Sequence, residues 1–184
     1  SLNTIGPKVF SECKALKEIT IPDSTTSLGD SIFKGCESLT KATLPSSITE
    51  IPKMIFEDCH SLPEISIPAS DSFENTGLTQ ISIPSAVTSI GMSAFGGCKQ
   101  LKEITLPSSL NSIGSYAFTN CPLVTQIEIP SSITSIEDGA FKGCTRLSSM
   151  EIPTSIIKIS ESLLSECTSL EHVTIPSSVT FIGK

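Results

Sequence analysis

Residues 129–144 read Ile-Pro-Ser-Ser-Ile-Thr-Ser-Ile-Glu-Asp-Gly-Ala-Phe-Lys-Gly-Cys, and residues 83–98 repeat nearly the same phrase. The pattern recurs along the whole chain, and its cysteines mark the period. Neighbouring cysteines are 23 residues apart, except for one interval of 39, which equals 23 plus 16. A fixed period of this length predicts a solenoid in which each repeat forms one coil and packs only against its neighbours. The seven cysteines are Cys13, Cys36, Cys59, Cys98, Cys121, Cys144 and Cys167.

The period organises residues 1–184 into a single array of about eight coils of 23 residues, with one short unit of 16 residues at 62–77. The short unit keeps its strand and Phe73 but lacks the Ile-Thr-Ser-Ile segment. We therefore expect a notch or a local bend on the side opposite the sheet. Both ends of the sequence fall inside a unit, so we expect this sequence to be a piece of a longer array.

Each unit contains the same succession of local signals. In residues 101–106 apolar and polar side chains alternate, which is the period of a half-buried strand. Pro107 follows, and because proline cannot donate to a ladder it ends the strand. The segment from Ala117 to Cys121 is expected to close the coil as a short helical or 3₁₀ turn. The sequence thus predicts an α/β solenoid with a parallel sheet on the concave face and short turns or 3₁₀/helical segments opposite.

Aromatic side chains recur at one position of the coil, which predicts a stacked ladder in the core rather than a cofactor or base-stacking site. The residues at this position are Phe10, Phe33, Phe56, Phe73, Phe95, Phe118 and Phe141.

The repeated cysteines have three interpretations. They can be buried apolar thiols, disulfides between successive coils, or metal ligands. Asn75 replaces cysteine in the short unit, and an odd number of cysteines leaves one unpaired, so buried thiols are favoured.

Composition excludes several functional classes. The formal charge is −7 and Arg146 is the only arginine, so we expect no nucleic-acid partner. No apolar run approaches the length of a membrane span, so no direct insertion into a membrane is expected. His60 and His172 occupy different repeat positions, and no nucleophile with an orienting base can be assembled. We expect no enzymatic activity, no cofactor and no metal.

The outward positions of each strand are the candidate binding surface, since they face away from the core. They are mainly acidic, with hydroxyl groups between the carboxylates, and would favour basic partners. The alternative interpretation is a solvated sheet face that charge keeps soluble. We call this set the front strip, and it comprises Glu18, Thr20, Lys41, Thr43, Glu64, Gln80, Glu103, Thr105, Gln126, Glu128, Glu151 and His172.

The phrases at 129–144 and 83–98 resemble the BspA-like family of leucine-rich repeats, which occurs in surface proteins of oral and gut bacteria and of mucosal protists such as trichomonads. The resemblance implies a cell-surface or secreted location. It also implies non-enzymatic adhesion to host extracellular-matrix proteins, host surface proteins or neighbouring cells. The alternative is an intracellular scaffold for protein–protein interaction. Apolar core exposed around Ile5 and Ile182 would favour end-to-end or edge self-association.

Overall fold

The computed structural model describes residues 2–62, 64–66, 80–83 and 85–184, with only the backbone of 64–66 and 80–82. These residues form short strands and turns, and no helix lies among them. The strands are β1 (Thr4–Ile5), β2 (Glu18–Thr20), β3 (Ser27–Leu28), β4 (Lys41–Thr43), β5 (Glu50–Ile51), β6 (Glu64–Ser66), β7 (Gln80–Ser82), β8 (Ser89–Ile90), β9 (Glu103–Thr105), β10 (Ser112–Ile113), β11 (Gln126–Ile127), β12 (Ser135–Ile136), β13 (Ser149–Glu151), β14 (Lys158–Ile159), β15 (His172–Thr174) and β16 (Phe181–Ile182).

The strands form two parallel rows. In the front row β2, β4, β6, β7, β9 and β11 make one sheet, and β13 pairs with β15. In the back row β5, β8, β10 and β12 make one sheet, while β1 pairs with β3 and β14 with β16. Neighbouring coils pair in register, as with Glu18 opposite Lys41 and Ser112 opposite Ser135. The parallel front sheet was predicted. The back row was not, and it comes from a residue pair of each unit that ends in isoleucine or leucine, such as Ser-Ile.

The predicted helical segments and the α/β class are wrong. The segment between each back strand and its cysteine is a tight turn that contains two left-handed residues, such as Tyr116 (φ 58°) and Asn120 (φ 55°). A left-handed residue interrupts the run of right-handed residues that an α- or 3₁₀-helix needs. Only three residues separate the two interruptions, so no helix forms. The fold is a parallel-sheet β-solenoid of about seven turns of about 23 residues, rather than eight coils.

The predicted notch or bend of the short unit falls mostly on residues outside the described part of the chain, but the described back-row strands on either side of it pair directly. Strand β5 pairs directly with β8, with Glu50 opposite Ser89, and the rings of Phe56 and Phe95 stack at 6.0 Å. In the front row, however, both β6 and β7 lie between β4 and β9. The short unit therefore adds a strand to the front sheet without adding one to the described back row. Phe73 and Asn75 lie outside the described residues.

The core is a continuous cluster of apolar side chains between the two rows. Its largest members are five fully buried phenylalanines, whose rings stack along the array with centroids 5.1 to 6.0 Å apart. Burial of one such side chain contributes about 1.5–3 kcal/mol. The ladder therefore helps to fix the spacing of the coils. These residues are Phe33, Phe56, Phe95, Phe118 and Phe141.

The two ends of the array differ. Ile5 itself is only 9% exposed, since β1 pairs with β3, but Leu2 and Val9 near it are about half exposed, as expected for this end. At the other end Phe181 and Ile182 are more than half exposed, as expected. No helix among the described residues has the length and apolar character needed to cross a membrane.

Candidate functional site

The thiols of the inner cysteines form an internal hydrogen-bond ladder. Each Sγ–H donates to the carbonyl oxygen of the phenylalanine one coil earlier, as Cys59 does to Phe33 at 3.1 Å. The ladder crosses the short unit, because Cys98 donates to Phe56 at 3.4 Å. All seven cysteines are free, and only Cys13 is exposed. The remaining donors of this ladder are Cys36, Cys121, Cys144 and Cys167.

Burial suppresses the reactivity of these thiols. It raises the pKa of Cys36 to about 11 and that of Cys144 to about 12, and raises the pKa of Cys98 and Cys121 well above the usual value. The thiolate is the form that attacks electrophiles and binds metals. The inner cysteines therefore act as protonated donors that join the coils. Among the described residues, no group of three or more His, Cys, Asp or Glu side chains could hold a metal ion.

The two histidines are not brought together. His60 lies at a turn, where its Nδ1 is 3.1 Å from the carbonyl oxygen of Gly97 in the next coil. His172 begins β15 and its side chain is exposed on the front face. His60 and His172 therefore do not form a pair that could carry out acid–base chemistry.

The front strands place the front strip in two parallel rows. One row contains the first residue of each strand, such as Glu18 opposite Lys41 and Glu103 opposite Gln126. The other contains the residue two positions later, such as Thr20 opposite Thr43. Of the side chains the structure describes, Thr43 is half-buried, and the rest are exposed: Glu18, Thr20, Lys41, Glu103, Thr105, Gln126, Glu128, Glu151 and His172. The backbones of Glu64 and Gln80 lie in the same row as Glu18.

Charge is distributed unevenly between these two rows. In the first row unlike or neutral groups alternate, since Lys41 lies between two glutamates and Glu103 between two glutamines. In the second row threonine or serine precedes and follows two consecutive glutamates, Glu128 and Glu151. Glu128 and Glu151 are thus two acidic residues at the same front position of successive coils, and we call them the acidic pair. The strongest negative field of the described strip is therefore expected at this pair.

Two adjacent clefts open at this acidic pair. The first, of about 350 Å³, lies between β9 and β11, and the second, of about 450 Å³, between β11 and β13. Gln126, Ile127 and Glu128 line both clefts. Glu103 and Thr105 complete the polar wall of the first, and Ser149 and Glu151 that of the second. The clefts combine acidic walls with an apolar floor, and no lysine or arginine lines them.

The serine that follows the Pro-Ser pair of each turn makes a contact between coils. From the sequence it was interpreted only as a turn residue, and this contact was not predicted. Its hydroxyl donates to a carbonyl oxygen of the preceding coil, as Ser109 does to Val87 and Ser132 to Leu110, both at 2.6 Å. Its recurrence in most units was the available signal, although Ala86 replaces it in one of them. Like the thiol ladder, this contact joins adjacent coils and stiffens the surface that they present.

The family model for the BspA type leucine-rich repeat region matches residues 1–72 and 69–184, in six copies. The chain belongs to this family. The resemblance seen in the sequence is thereby confirmed. Proteins of the family are generally non-enzymatic structural or binding modules.

Three solved leucine-rich repeat proteins have a similar structure. The T. pallidum protein TpLRR has a TM-score of 0.79 at 24% identity, covers 98% of this chain and 78% of its own, and shows the fold alone. One from Bacteroides ovatus has a TM-score of 0.71 at 28% identity, covering 99% of this chain and 54% of its own. One from Eubacterium ventriosum has a TM-score of 0.61 at 31% identity, covering 75% and 33%. The comparison with curated protein sequences finds no match.

Proposed function

We propose that this chain is a non-enzymatic adhesion module of a cell-surface or secreted protein, and that it binds host extracellular-matrix or surface proteins, or neighbouring cells, through the front strip. The observation that carries the proposal is the strip itself, in which exposed polar side chains repeat in register on successive parallel strands. The membership of the BspA-type repeat family supports it, because that family generally binds proteins.

Recognition on such a surface depends on repetition more than on single contacts. The strip lacks the tryptophan, tyrosine and arginine side chains that anchor tight interfaces. Each coil presents only two or three exposed polar groups, spaced about 4.8 Å from those of the next coil. We propose that residues 1–184 act as one array, and that weak contacts add up along it and along any further repeats.

An intracellular scaffold is the second candidate function. The observation that favours it is the presence of seven free cysteines, since thiols persist more readily in a reducing compartment than outside the cell. The burial of six of them weakens this argument, because burial also protects a thiol from oxidation. The native sequence on either side of residues 1–184 would separate the candidates, since a signal peptide would favour adhesion.

The test is saturable binding of the purified chain to immobilised fibronectin, fibrinogen and epithelial cells. The double variant Glu18→Lys/Glu151→Lys reverses two exposed charges of the front strip, and Glu137→Lys/Glu161→Lys reverses two exposed charges outside it. We expect binding that the first variant weakens at least about tenfold and the second leaves unchanged. Lack of saturable binding to all three surfaces, or equal losses in both variants, would contradict the proposal.

A further inference from the structure

The turn that follows each back strand carries a row of side chains that the front strip does not include. Main-chain bonds keep this row in register, as when the amide of Ser31 donates to the carbonyl oxygen of Lys53 and that of Gly139 to Glu161, both at 2.9 Å. The side chains of the row are exposed, except for half-buried Ser115. We call this set the corner row, and in successive coils it comprises Asp30, Lys53, Met92, Ser115, Asp138, Glu161 and Lys184.

The charges of the corner row are complementary about its centre. Lys53 lies two coils before Ser115, and Glu161 lies two coils after it. Asp30 and Lys184 lie three coils before and three coils after the same centre. Residues at equal distances from Ser115 thus carry opposite charges. If a second corner row faced the first in the reverse direction, each of these four charges would meet one of opposite sign.

The back strands beside the corner row follow the same rule. Glu50 begins β5, two coils before β10, and Lys158 begins β14, two coils after it. Both side chains are exposed. The remaining charges near the centre, Glu137 and Asp138, would face the coil of Met92, whose residues 89–93 carry no charge. The reversed arrangement therefore places no like charges opposite each other in these two rows.

These charges are not neutralised by ion pairs within the chain. The ion pairs among the described residues belong to other rows: Lys14 with Glu37, Lys34 with Glu57, and Lys142 with Glu166. Asp30 accepts a hydrogen bond from the amide of Lys53 at 3.2 Å, which holds its carboxylate in place at the surface. The corner row therefore presents positioned charges that a second protein surface can reach.

The centre of the pattern carries the only tyrosine of the chain. Tyr116 follows Ser115, is 42% exposed, and has φ 58°, a costly conformation for a bulky residue. Serine stands at the equivalent position of three other coils. Met92, in the preceding coil, is 37% exposed. Tyrosine and methionine are enriched at the centres of protein interfaces, and charged residues at their rims. The face thus has the composition of an interface, with an apolar centre between charged flanks.

We infer that this face binds a second copy of the same chain, antiparallel to the first, with a two-fold axis at Ser115 and Tyr116. Each contact of such a dimer occurs twice, so Lys53 of either copy faces Glu161 of the partner subunit. Glu50 faces Lys158 of the partner subunit in the same way, and the two copies of Tyr116 meet at the axis. The front strip lies on the other row of strands and stays free in both copies, so the inference is independent of the proposed function.

The charges select the alignment more than they strengthen the dimer. Each ion pair is exposed, so it changes the affinity only a few-fold and is screened by salt. In a parallel alignment Lys53 would face Lys53 and Glu161 would face Glu161, which disfavours that arrangement. Tyr116 supplies the contact at the centre, where truncation usually costs most. We therefore expect a weak dimer that dissociates as the salt concentration rises.

The test is sedimentation velocity of the full chain at low salt, over a range of protein concentrations. Lys53→Glu and Glu161→Lys each place like charges opposite each other at two points of the dimer. We expect each variant alone to dimerise at least about tenfold more weakly than wild type. An equal mixture of the two restores both ion pairs in the heterodimer, so it should dimerise to within a few-fold of wild type.

The matched control reverses two exposed charges that precede front strands, Lys102→Glu and Glu171→Lys. These variants should dimerise like wild type, both alone and mixed. Chains that are monomeric at every concentration, or a mixture of Lys53→Glu and Glu161→Lys no better than either alone, would overturn the inference. Self-association that the corner-row variants leave unchanged, as end-to-end packing would give, would overturn it as well.

Replacement of Tyr116 tests the centre of the face independently of charge. Tyr116→Ser introduces the residue found at this position in other coils, so the fold should be retained, and an unchanged or raised urea midpoint checks this. We expect the variant to dimerise at least about tenfold more weakly than wild type. A folded Tyr116→Ser chain that dimerises as tightly as wild type would contradict the placement of the two-fold axis.

Discussion

The thiol of Cys144 donates a hydrogen bond of 3.3 Å to the carbonyl oxygen of Phe118, one coil earlier. The ring of Phe118 in turn stacks on that of Phe141, in the same coil as Cys144, at 5.6 Å and nearly parallel. One carbonyl thus connects the cysteine ladder to the phenylalanine ladder. The 23-residue spacing of the cysteines in the sequence reflects this contact between coils.

Replacement of one inner cysteine tests this contact. We expect Cys144→Ala to destabilise the chain by about 1–2 kcal/mol, because it leaves the carbonyl of Phe118 without its thiol donor and creates a small cavity. The measurement is the urea midpoint followed by circular dichroism. Cys13→Ala is the control, since Cys13 is exposed, and its midpoint should match wild type. Equal midpoints for both variants would show that the thiol contact carries no stability.

Alkaline pH should destabilise the fold through the same thiols. Burial raises the pKa of Cys36 to about 11 and that of Cys144 to about 12 in the folded chain. A thiol with a higher pKa in the folded state stabilises the fold fully below its unfolded pKa, and this stabilisation is lost as pH rises from about 9 towards the folded value. The loss is at most about 1.4 kcal/mol per pH unit for each thiol.

Urea midpoints at pH 7 and pH 10 measure this loss. The difference between the two midpoints should shrink when Cys36 is replaced by alanine, which isolates the contribution of this thiol. A pH dependence that is identical in wild type and in Cys36→Ala would contradict the assignment.

Glycine is required where a coil turns against a side chain of its neighbour. Gly143 has φ +73°, and a Cβ there would overlap the amide oxygen of Asn120. We expect Gly143→Ala to cost about 1–2 kcal/mol, mainly from the left-handed backbone. Gly6 has no heavy atom within 4 Å of such a Cβ, so Gly6→Ala should change stability by less than about 0.5 kcal/mol. Thermal unfolding of the two variants side by side gives the comparison, and similar losses in both would refute this reading of Gly143.

The repeat allowed much of the fold to be predicted from the sequence. The interval between cysteines defined the coil, and the alternation in residues such as 103–105 placed the parallel front sheet. The turn from Ala117 to Cys121 was mispredicted as helical because Tyr116 and Asn120, both non-glycine residues, take left-handed conformations. Tyrosine rarely takes a left-handed conformation, so its amino-acid preference gives no indication of this turn.

The surface was less predictable than the core. Exposure at positions such as Glu103 and Gln126 follows from alternation alone. The clefts beside Glu128 and Glu151 depend on how neighbouring coils pack, which alternation does not report. The signal that could have located the acidic pair was the replacement of threonine or serine by glutamate at the same position of two successive units.

Removal of one charge of the acidic pair should stabilise the front sheet. We expect Glu128→Thr to stabilise the chain by about 0.5–1 kcal/mol, because it removes the repulsion from Glu151 and restores the residue type found elsewhere in this row. The measurement is the urea midpoint. Glu137→Thr, outside the front strip, is the control and should leave the midpoint unchanged. A Glu128→Thr chain that is no more stable than wild type would argue against repulsion between the two glutamates.

The central claim is that the front strip is the surface that binds partner proteins. Hydrogen–deuterium exchange of the chain, free and saturated with a matrix protein that it binds, tests this claim most directly. We expect added protection at the front strands β9, β11, β13 and β15 and at the segments that follow them, with the back strands unchanged. Protection confined to the back strands, or spread evenly over both rows, would contradict the claim.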